Sequence, residues 1–191
     1  MILCSHNSWS YLPVRKWWMR PIAFTARCQS VDIRTQYEQY GVRCFDLRVR
    51  FDNDGNMIVA HGIIEYKEAH ALIALMFLDG KKDCHVRVLH ETRTEKQHTQ
   101  YSVEQFRKFC YAIEKHFKNV HFWCGRNLYD WEVDYDFDGE DPICDEKYAS
   151  VCPPKLIDDW FPWFFAKKHN SEILEHGTDK DILLIDYVNI R

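Results

Sequence analysis

Short apolar runs alternate with longer amphipathic segments along the first quarter of the chain. Residues 2 to 5 are mainly apolar and predict a first strand. Residues 31 to 40 carry apolar or aromatic side chains at 33, 37 and 40 and are followed by Gly41, which predicts a helix with a glycine C-cap. Residues 42 to 51 predict the next strand. This order favours a parallel sheet.

The strand over 42 to 51 has two unlike faces. Side chains alternate between the faces of a strand, so four polar positions oppose four apolar ones: Cys44, Asp46, Arg48 and Arg50 against Phe45, Leu47, Val49 and Phe51. A barrel would bury the apolar face under its helices and turn the charged face inward. An acid buried beside two arginines is costly unless the three groups build a site.

The rest of the chain continues the alternation of strands and helices. Asp54-Gly55 predicts a hairpin turn that leads into a strand over 57 to 60 and then His61. The later predicted elements are a helix over 66–78, a strand over 84–91, a helix over 103–117 after Ser102, a strand over 119–124, a short aromatic helix over 160–168 and a last strand over 181–190. A complete eightfold barrel needs about 200 to 250 residues. The 191-residue chain therefore predicts one α/β domain over 1–191, a compact or incomplete TIM-type (β/α) barrel.

Composition narrows the classes of function. The formal net charge is −4, whereas a nucleic-acid binder normally carries a basic excess on one face. No apolar run approaches the roughly 20 residues that span a bilayer, and the first strand begins too early for a signal peptide. We therefore expect a soluble, cytoplasmic monomer that does not bind nucleic acid.

The eight cysteines show no zinc-ligand spacing. We expect reduced and mostly buried thiols; the alternative is a disulfide framework, for which Cys144 and Cys152 are the pair to watch. The acids spaced over 134–142 resemble a calcium loop in part. The downstream pattern does not fit one, so a solvated loop is favoured.

Three short motifs carry chemistry: Ser5-His6-Asn7-Ser8, Phe45-Asp46-Leu47-Arg48 and Ala60-His61-Gly62. They place two histidines and an arginine at predicted strand ends. Cleaving a phosphodiester needs a base, an acid and fixed positive charge. Histidine can serve as either the base or the acid near neutral pH, and arginine remains charged and can contact two phosphate oxygens.

These motifs, with Gly41-Val42-Arg43 between the first and second, come in an order and spacing that resembles the catalytic X region of phosphatidylinositol-specific phospholipase C. The resemblance is strongest over residues 1 to 62. It implies a barrel in which His6 is the general base and His61 the general acid. It also implies that Arg48 holds the phosphate, as in the metal-independent bacterial members, with Asp46 orienting the guanidinium.

Three further residues complete the predicted site. Asp186 comes directly after the apolar run 182–185 of the last predicted strand and is expected to orient His6. Asn7 and Glu91 are expected to contact the substrate. We expect no cofactor or metal; the alternative, taken from the animal members, is a calcium ion held by Asn7, Asp46 and Glu91.

The segment after the first motif mixes basic and aromatic residues: Arg15, Lys16, Trp17, Trp18, Met19 and Arg20. Bacterial members carry a membrane-touching helix here, so Trp17 and Trp18 are expected to contact a membrane surface; the alternative is packing on the barrel rim. A second aromatic group, over 160–165, is expected in the core.

The resemblance implies cleavage of a phospholipid head group, with phosphatidylinositol the expected substrate and attack by the substrate's own hydroxyl. Two alternatives stay open. One is the same chemistry on another phosphodiester, and the other is a catalytically silent barrel that binds a membrane or a protein.

Overall fold

A computed structural model describes residues 1–67, 71–92, 99–124, 133–138, 161–176 and 182–190. Several sequence predictions lie outside these ranges. They include the disulfide alternative at Cys144 and Cys152, the aromatic residue Trp160, and the second half of the acidic segment, 139–142. Those points stay predictions.

The described residues form one sheet of seven strands. They are β1 Ile2–Ser5, β2 Cys44–Phe51, β3 Met57–His61, β4 Ile64–Tyr66, β5 Cys84–His90, β6 Val120–Cys124 and β7 Ile182–Ile185. Five strands run parallel in the order β7-β1-β2-β5-β6. The hairpin β3-β4 pairs antiparallel with the last three residues of β2.

Within the described ranges, four α-helices and one 3₁₀ helix accompany the sheet. They are the 3₁₀ helix Trp17–Thr25, α1 Ile33–Tyr40, α2 Ala71–Asp79, α3 Gln100–His116 and α4 Pro162–His176. Helix α1 begins where the Asp32 carboxylate accepts the Thr35 amide, and it ends at Gly41 with φ 71°. A side chain would be strained at that angle, so the predicted glycine C-cap is confirmed.

Several predicted boundaries were wrong. The last strand ends at Ile185 rather than at residue 190, because Tyr187 has φ 44° and its amide donates to the Cys28 carbonyl outside the sheet. Tyr66 belongs to strand β4 rather than to a helix, because it pairs with Val59 and its buried hydroxyl donates to a carbonyl across the site. Helix α3 begins at Gln100, since the Thr99 hydroxyl accepts the Ser102 amide and thus caps the helix earlier than predicted. Helix α4 extends well past residue 168, to His176.

The two faces of the sheet have separate cores. Phe45, Leu47 and Val49 of β2 belong to the larger core, which also contains apolar side chains of the helices. The opposite face holds a smaller cluster of Cys4, Cys44, Trp123, Ile182 and Leu184. The predicted division of β2 is confirmed, and Asp46 and Arg48 lie on this second, concave face. The sheet is curled into a half-barrel, so the fold is an incomplete TIM-type α/β barrel.

The cysteines that the structure describes are buried and form no disulfide bond: Cys4, Cys28, Cys44, Cys84, Cys110 and Cys124. The prediction of reduced, buried thiols is confirmed for these six. Among the helices of the described ranges, none has both the length and the apolar character required to cross a bilayer.

Candidate active site

His6 and Asp186 are brought together by the parallel pairing of β1 with β7. Ser5 is in register with Ile185, so the two residues that follow these strands are neighbours at the same sheet edge. The Nδ1 atom of His6 lies 2.7 Å from Asp186 Oδ1. A carboxylate only accepts, so in the neutral imidazole Nδ1 carries the proton and Nε2 carries the lone pair.

The side chain of Gln29 forms hydrogen bonds with the backbone around His6. Its amide group donates to the carbonyls of His6 and Ile185, at 3.2 and 3.1 Å. Its oxygen accepts the Val188 amide at 3.1 Å. These bonds satisfy backbone groups beyond the strand ends and restrict movement of the imidazole.

Asp46 lies at the centre of the site and is fully buried. Its Oδ2 accepts the Asn7 amide and the Arg48 Nε, both at 2.9 Å, and stands 4.0 Å from His6 Nε2. Burial alone would raise the pKa of Asp46, but the positive charges of Arg48 and Arg87 lower it well below its ordinary value. Asp46 is therefore a carboxylate that fixes the Arg48 guanidinium.

Arg48 lies between two carboxylates. Its Nε binds Asp46, and its NH1 group lies 3.5 Å from Glu91 Oε2. Burial opposes the charge, but the two acids outweigh it and raise the Arg48 pKa. Glu91 also accepts the Gly62 amide at 2.7 Å. Burial raises the pKa of Glu91, and the Arg48 charge more than reverses this, so its pKa is lowered.

His61 ends strand β3 on the opposite side of the site. Its ring lies 5.3 Å from the His6 ring, measured between centroids, and meets it edge to face. Its Nδ1 lies 3.0 Å from the Ala26 carbonyl oxygen. Burial and the nearby Arg48 charge lower the pKa of His61 to about 4. At neutral pH, His61 is therefore uncharged.

Asn7 lies next to His6 but turns sharply, with φ 42°. Its backbone amide binds Asp46, and its side-chain amide donates to Ala26 at 3.4 Å. The structure thus gathers all seven predicted site residues at one end of the half-barrel: His6, Asn7, Asp46, Arg48, His61, Glu91 and Asp186.

Cys28 and Arg87 are among the residues at this site that the sequence reasoning missed. Cys28 lies in an irregular segment, where no periodicity reports direction, and its Sγ is 3.6 Å from His61 Nδ1. Arg87 of β5 is in register with Asp46 and is buried on the same face. Alternation along β5 could have identified Arg87; no pattern could have identified Cys28.

Both groups of aromatic residues contain side chains that are exposed rather than packed against the barrel. Trp17 and Trp18 are 71% and 58% exposed, so the alternative of rim packing was wrong. In the second group, Trp163 and Phe164 are 40% and 62% exposed, and Phe165 is buried. The expectation that this group is core was wrong for the two exposed residues, which lie at the start of α4.

No protein-family profile and no curated protein matches the chain. Solved structures do. A point mutant of the phosphatidylinositol-specific phospholipase C from Staphylococcus aureus shares 16% identity at a TM-score of 0.60, over 97% of this chain and 84% of that one. A structure of the same enzyme, concerned with modulation of its membrane binding, shares 14% identity at a TM-score of 0.59, over 97% and 85%. The chain therefore has the fold of a phosphatidylinositol-specific phospholipase C.

Proposed function

We propose that the chain is a phosphodiesterase that cleaves the head-group phosphodiester of a phospholipid, with phosphatidylinositol as the substrate. The observation that carries the proposal is the convergence of His6, His61 and Arg48 at one end of the half-barrel. The His6 ring is 5.3 Å from that of His61, and Asp46 contacts Arg48 at 2.9 Å while standing 4.0 Å from His6. The fold shared with the S. aureus enzyme supports the proposal.

The reaction begins at His6. Its Nε2 lone pair accepts the proton of the inositol hydroxyl next to the phosphate, and that oxygen attacks phosphorus. Asp186 holds Nδ1–H and stabilises the imidazolium that forms. Asp186 thus acts as a positioning residue for the base.

Arg48 supplies fixed positive charge to the phosphate. The diester carries one negative charge, and a second develops in the phosphorane-like transition state. Asp46 and Glu91 hold the guanidinium in place before substrate arrives. His61 then protonates the departing glycerol oxygen, which yields a cyclic inositol phosphate and diacylglycerol. Asn7 and Glu91 border the substrate space, and we propose that they contact the head group.

The test of this function is turnover by the purified chain across a panel of diesters. Phosphatidylinositol, phosphatidylcholine and a glycerophosphodiester are each presented in mixed micelles. Preferential cleavage of phosphatidylinositol supports the proposal. Preference for another member of the panel would assign the same chemistry to a different diester, and no cleavage of any would contradict catalysis.

The charge state of His61 gives a prediction about pH. A general acid must be protonated, and the low pKa of about 4 keeps His61 neutral until a phosphate anion stands beside it. We expect the His61 ring to titrate near pH 4 in the free protein and at a higher pH with an inositol phosphate bound. Ring ¹⁵N NMR titrations in metal-free buffer measure both. A free-protein midpoint near 6.5, unchanged by ligand, would contradict this account.

The exposed aromatic side chains form a surface that suits a membrane. The Phe24 ring of the 3₁₀ helix stacks on Phe161 at 5.6 Å, and ring contacts continue through Phe164 to Trp163. We propose that this aromatic surface, with Trp17 and Trp18, rests on the lipid interface. Tryptophan and basic residues are favoured at head-group depth.

Changing Trp17 and Trp18 together to alanine should weaken binding to phosphatidylinositol-containing vesicles by at least about tenfold, because burying one large apolar side chain contributes about 1.5 to 3 kcal/mol. Cleavage of a soluble inositol phosphodiester should be unchanged. Vesicle sedimentation and a soluble-substrate assay measure the two effects. Tyr111→Ala, which removes an exposed aromatic from α3, is the control. Equal loss of both activities would instead assign the tryptophans to the fold.

A further inference from the structure

Cys28 lies among the two histidines of the candidate active site. One nitrogen or sulfur each from His6, Cys28 and His61 lies within 4.8 Å of the other two. Cys28 is fully buried and His6 is 3% exposed. The phosphodiesterase reaction proposed above uses no thiol, so the chemistry of Cys28 is unassigned.

His6 Nε2 is buried and has no hydrogen-bond partner among the described residues; the Asp46 carboxylate stands 4.0 Å from it. Because Asp186 accepts a hydrogen bond from Nδ1–H, the Nε2 lone pair of the neutral ring is available to a ligand. Histidines that bind metals are typically held in this way, with a carboxylate on the second ring nitrogen. His6 is therefore already oriented as a metal ligand.

The spacing of Cys28 and His61 also fits a metal. Two ligands of a tetrahedral zinc ion, a sulfur at about 2.3 Å and a nitrogen at about 2.0 Å, lie about 3.5 Å apart. Cys28 Sγ and His61 Nδ1 are separated by 3.6 Å. Binding through Nδ1 moves the ring proton to Nε2, and the Ala26 carbonyl oxygen retains the Tyr66 hydroxyl at 3.0 Å as its donor.

We propose that His6, Cys28 and His61 form a binding site for a thiophilic divalent cation, with Zn²⁺ as its ligand, and that the bound ion inhibits the enzyme. A donor set of two imidazoles and one thiolate suits zinc, whereas calcium requires six to eight oxygens. The three carboxylates of Asp46, Asp186 and Glu91 outnumber the two guanidinium groups of Arg48 and Arg87, so the surroundings tolerate added positive charge. The inhibitory half of the proposal rests on the proposed function.

Binding of the zinc ion displaces one proton from the site. The Cys28 thiol loses H⁺ to solvent as its sulfur bonds to the ion. His6 donates its Nε2 lone pair, and His61 donates from Nδ1 once its ring proton has moved to Nε2, so neither imidazole loses a proton and no oxidation state changes. The ion thereby occupies the Nε2 lone pair of His6 that would accept the substrate proton. It also binds His61. Inhibition should be reversible, because a chelator removes the ion and restores the thiol.

Cobalt titration tests the metal site without any assay of turnover. The whole chain should bind one Co²⁺ with a cobalt–thiolate charge-transfer band, and Zn²⁺ should displace it. Cys28→Ser should lose the band and bind Zn²⁺ at least about 10²-fold more weakly, since loss of a ligand exceeds the usual effect of losing a supporting residue. Cys110→Ser removes another buried thiol, from α3, and should behave as the unaltered chain. Equal zinc affinity in Cys28→Ser and the unaltered chain would overturn the proposal.

X-ray absorption of the zinc-loaded, unaltered chain provides a test that needs no variant. One sulfur at about 2.3 Å and two imidazole nitrogens at about 2.0 to 2.1 Å are expected. A shell of oxygen and nitrogen alone would overturn the site.

Turnover tests inhibition separately. Zn²⁺ should inhibit the unaltered chain and Cys110→Ser, and Cys28→Ser should resist it relative to its own zinc-free rate. Zinc bound through Cys28 with turnover unaffected would overturn the inhibitory half. A chain with no turnover but with the cobalt–thiolate band would contradict the proposed function and leave the metal site established.

Discussion

Replacing either His6 or His61 with alanine is expected to lower the rate of phosphodiester cleavage by at least about 10². Each change removes one of the two proton transfers. The His6 variant loses the base that Asp186 orients at 2.7 Å, and the His61 variant loses the acid on the opposite side. The value of kcat/KM should follow a bell-shaped dependence on pH, since one histidine must be neutral while the other is charged. Initial rates on phosphatidylinositol micelles measure both effects.

His121→Ala is the matched control. His121 lies on β6 beside His85, with ring centroids 5.0 Å apart, near the amino ends of the strands and away from the site. Its removal should leave the rate within about threefold, as expected for a change outside the machinery. Circular dichroism confirms that each variant is folded. Near-full activity in His6→Ala or His61→Ala would remove the assigned role.

Arg48→Ala is expected to lose more than about 10² in rate, and added calcium should not restore it. The activity of the unaltered chain should survive excess chelator. The physical reason is that Arg48 already lies between Asp46 and Glu91, at 2.9 and 3.5 Å. The two carboxylates therefore neutralise its guanidinium rather than a calcium ion. Asn7 alone adds too few oxygens for calcium. Rates with chelator, and then with added calcium, measure this directly.

Arg48→Lys separates charge from geometry. Lysine keeps the positive charge but cannot form the two-pronged contact, so its rate should lie between those of Arg48→Ala and the unaltered chain. Since Arg48→Ala leaves Asp46 buried without its partner, thermal unfolding is measured alongside, and rates are compared below the unfolding transition. Activity that disappears in chelator and returns with calcium would instead assign Asn7, Asp46 and Glu91 as calcium ligands.

Much of this site follows from strand periodicity. Alternation along residues 44 to 51 predicts Asp46 and Arg48 on one face of β2, and this is the concave face of the sheet. Parallel strands end at a common edge, so the residues after β1 and β7, His6 and Asp186, become neighbours once those strands pair. The alternation of side chains along these strands is informative because both faces of the sheet are buried. A shift of one residue would move the charged side chains into the apolar core, so only one register is stable.

Other features depend on long-range contacts that local patterns do not contain. Tyr66 follows helix-like apolar spacing, yet its pairing with Val59 and its hydroxyl bond to Ala26 favour a strand. Cys28 is 22 residues from His6 and 33 from His61 along the chain. Zinc motifs are recognised from pairs of ligands a few residues apart, so they do not detect this cluster. The exposure of Trp163 and Phe164 was likewise missed, since aromatic content alone does not say which face of a helix is covered.

The most direct test of the account is the first product formed from phosphatidylinositol in H₂¹⁸O. The account predicts a cyclic inositol phosphate that contains no ¹⁸O, observed by ³¹P NMR and mass spectrometry, because His6 activates the inositol hydroxyl rather than water. A first product that is acyclic and carries ¹⁸O on phosphorus would contradict intramolecular attack. Absence of any product would contradict the central claim that His6, His61 and Arg48 act together on one phosphate.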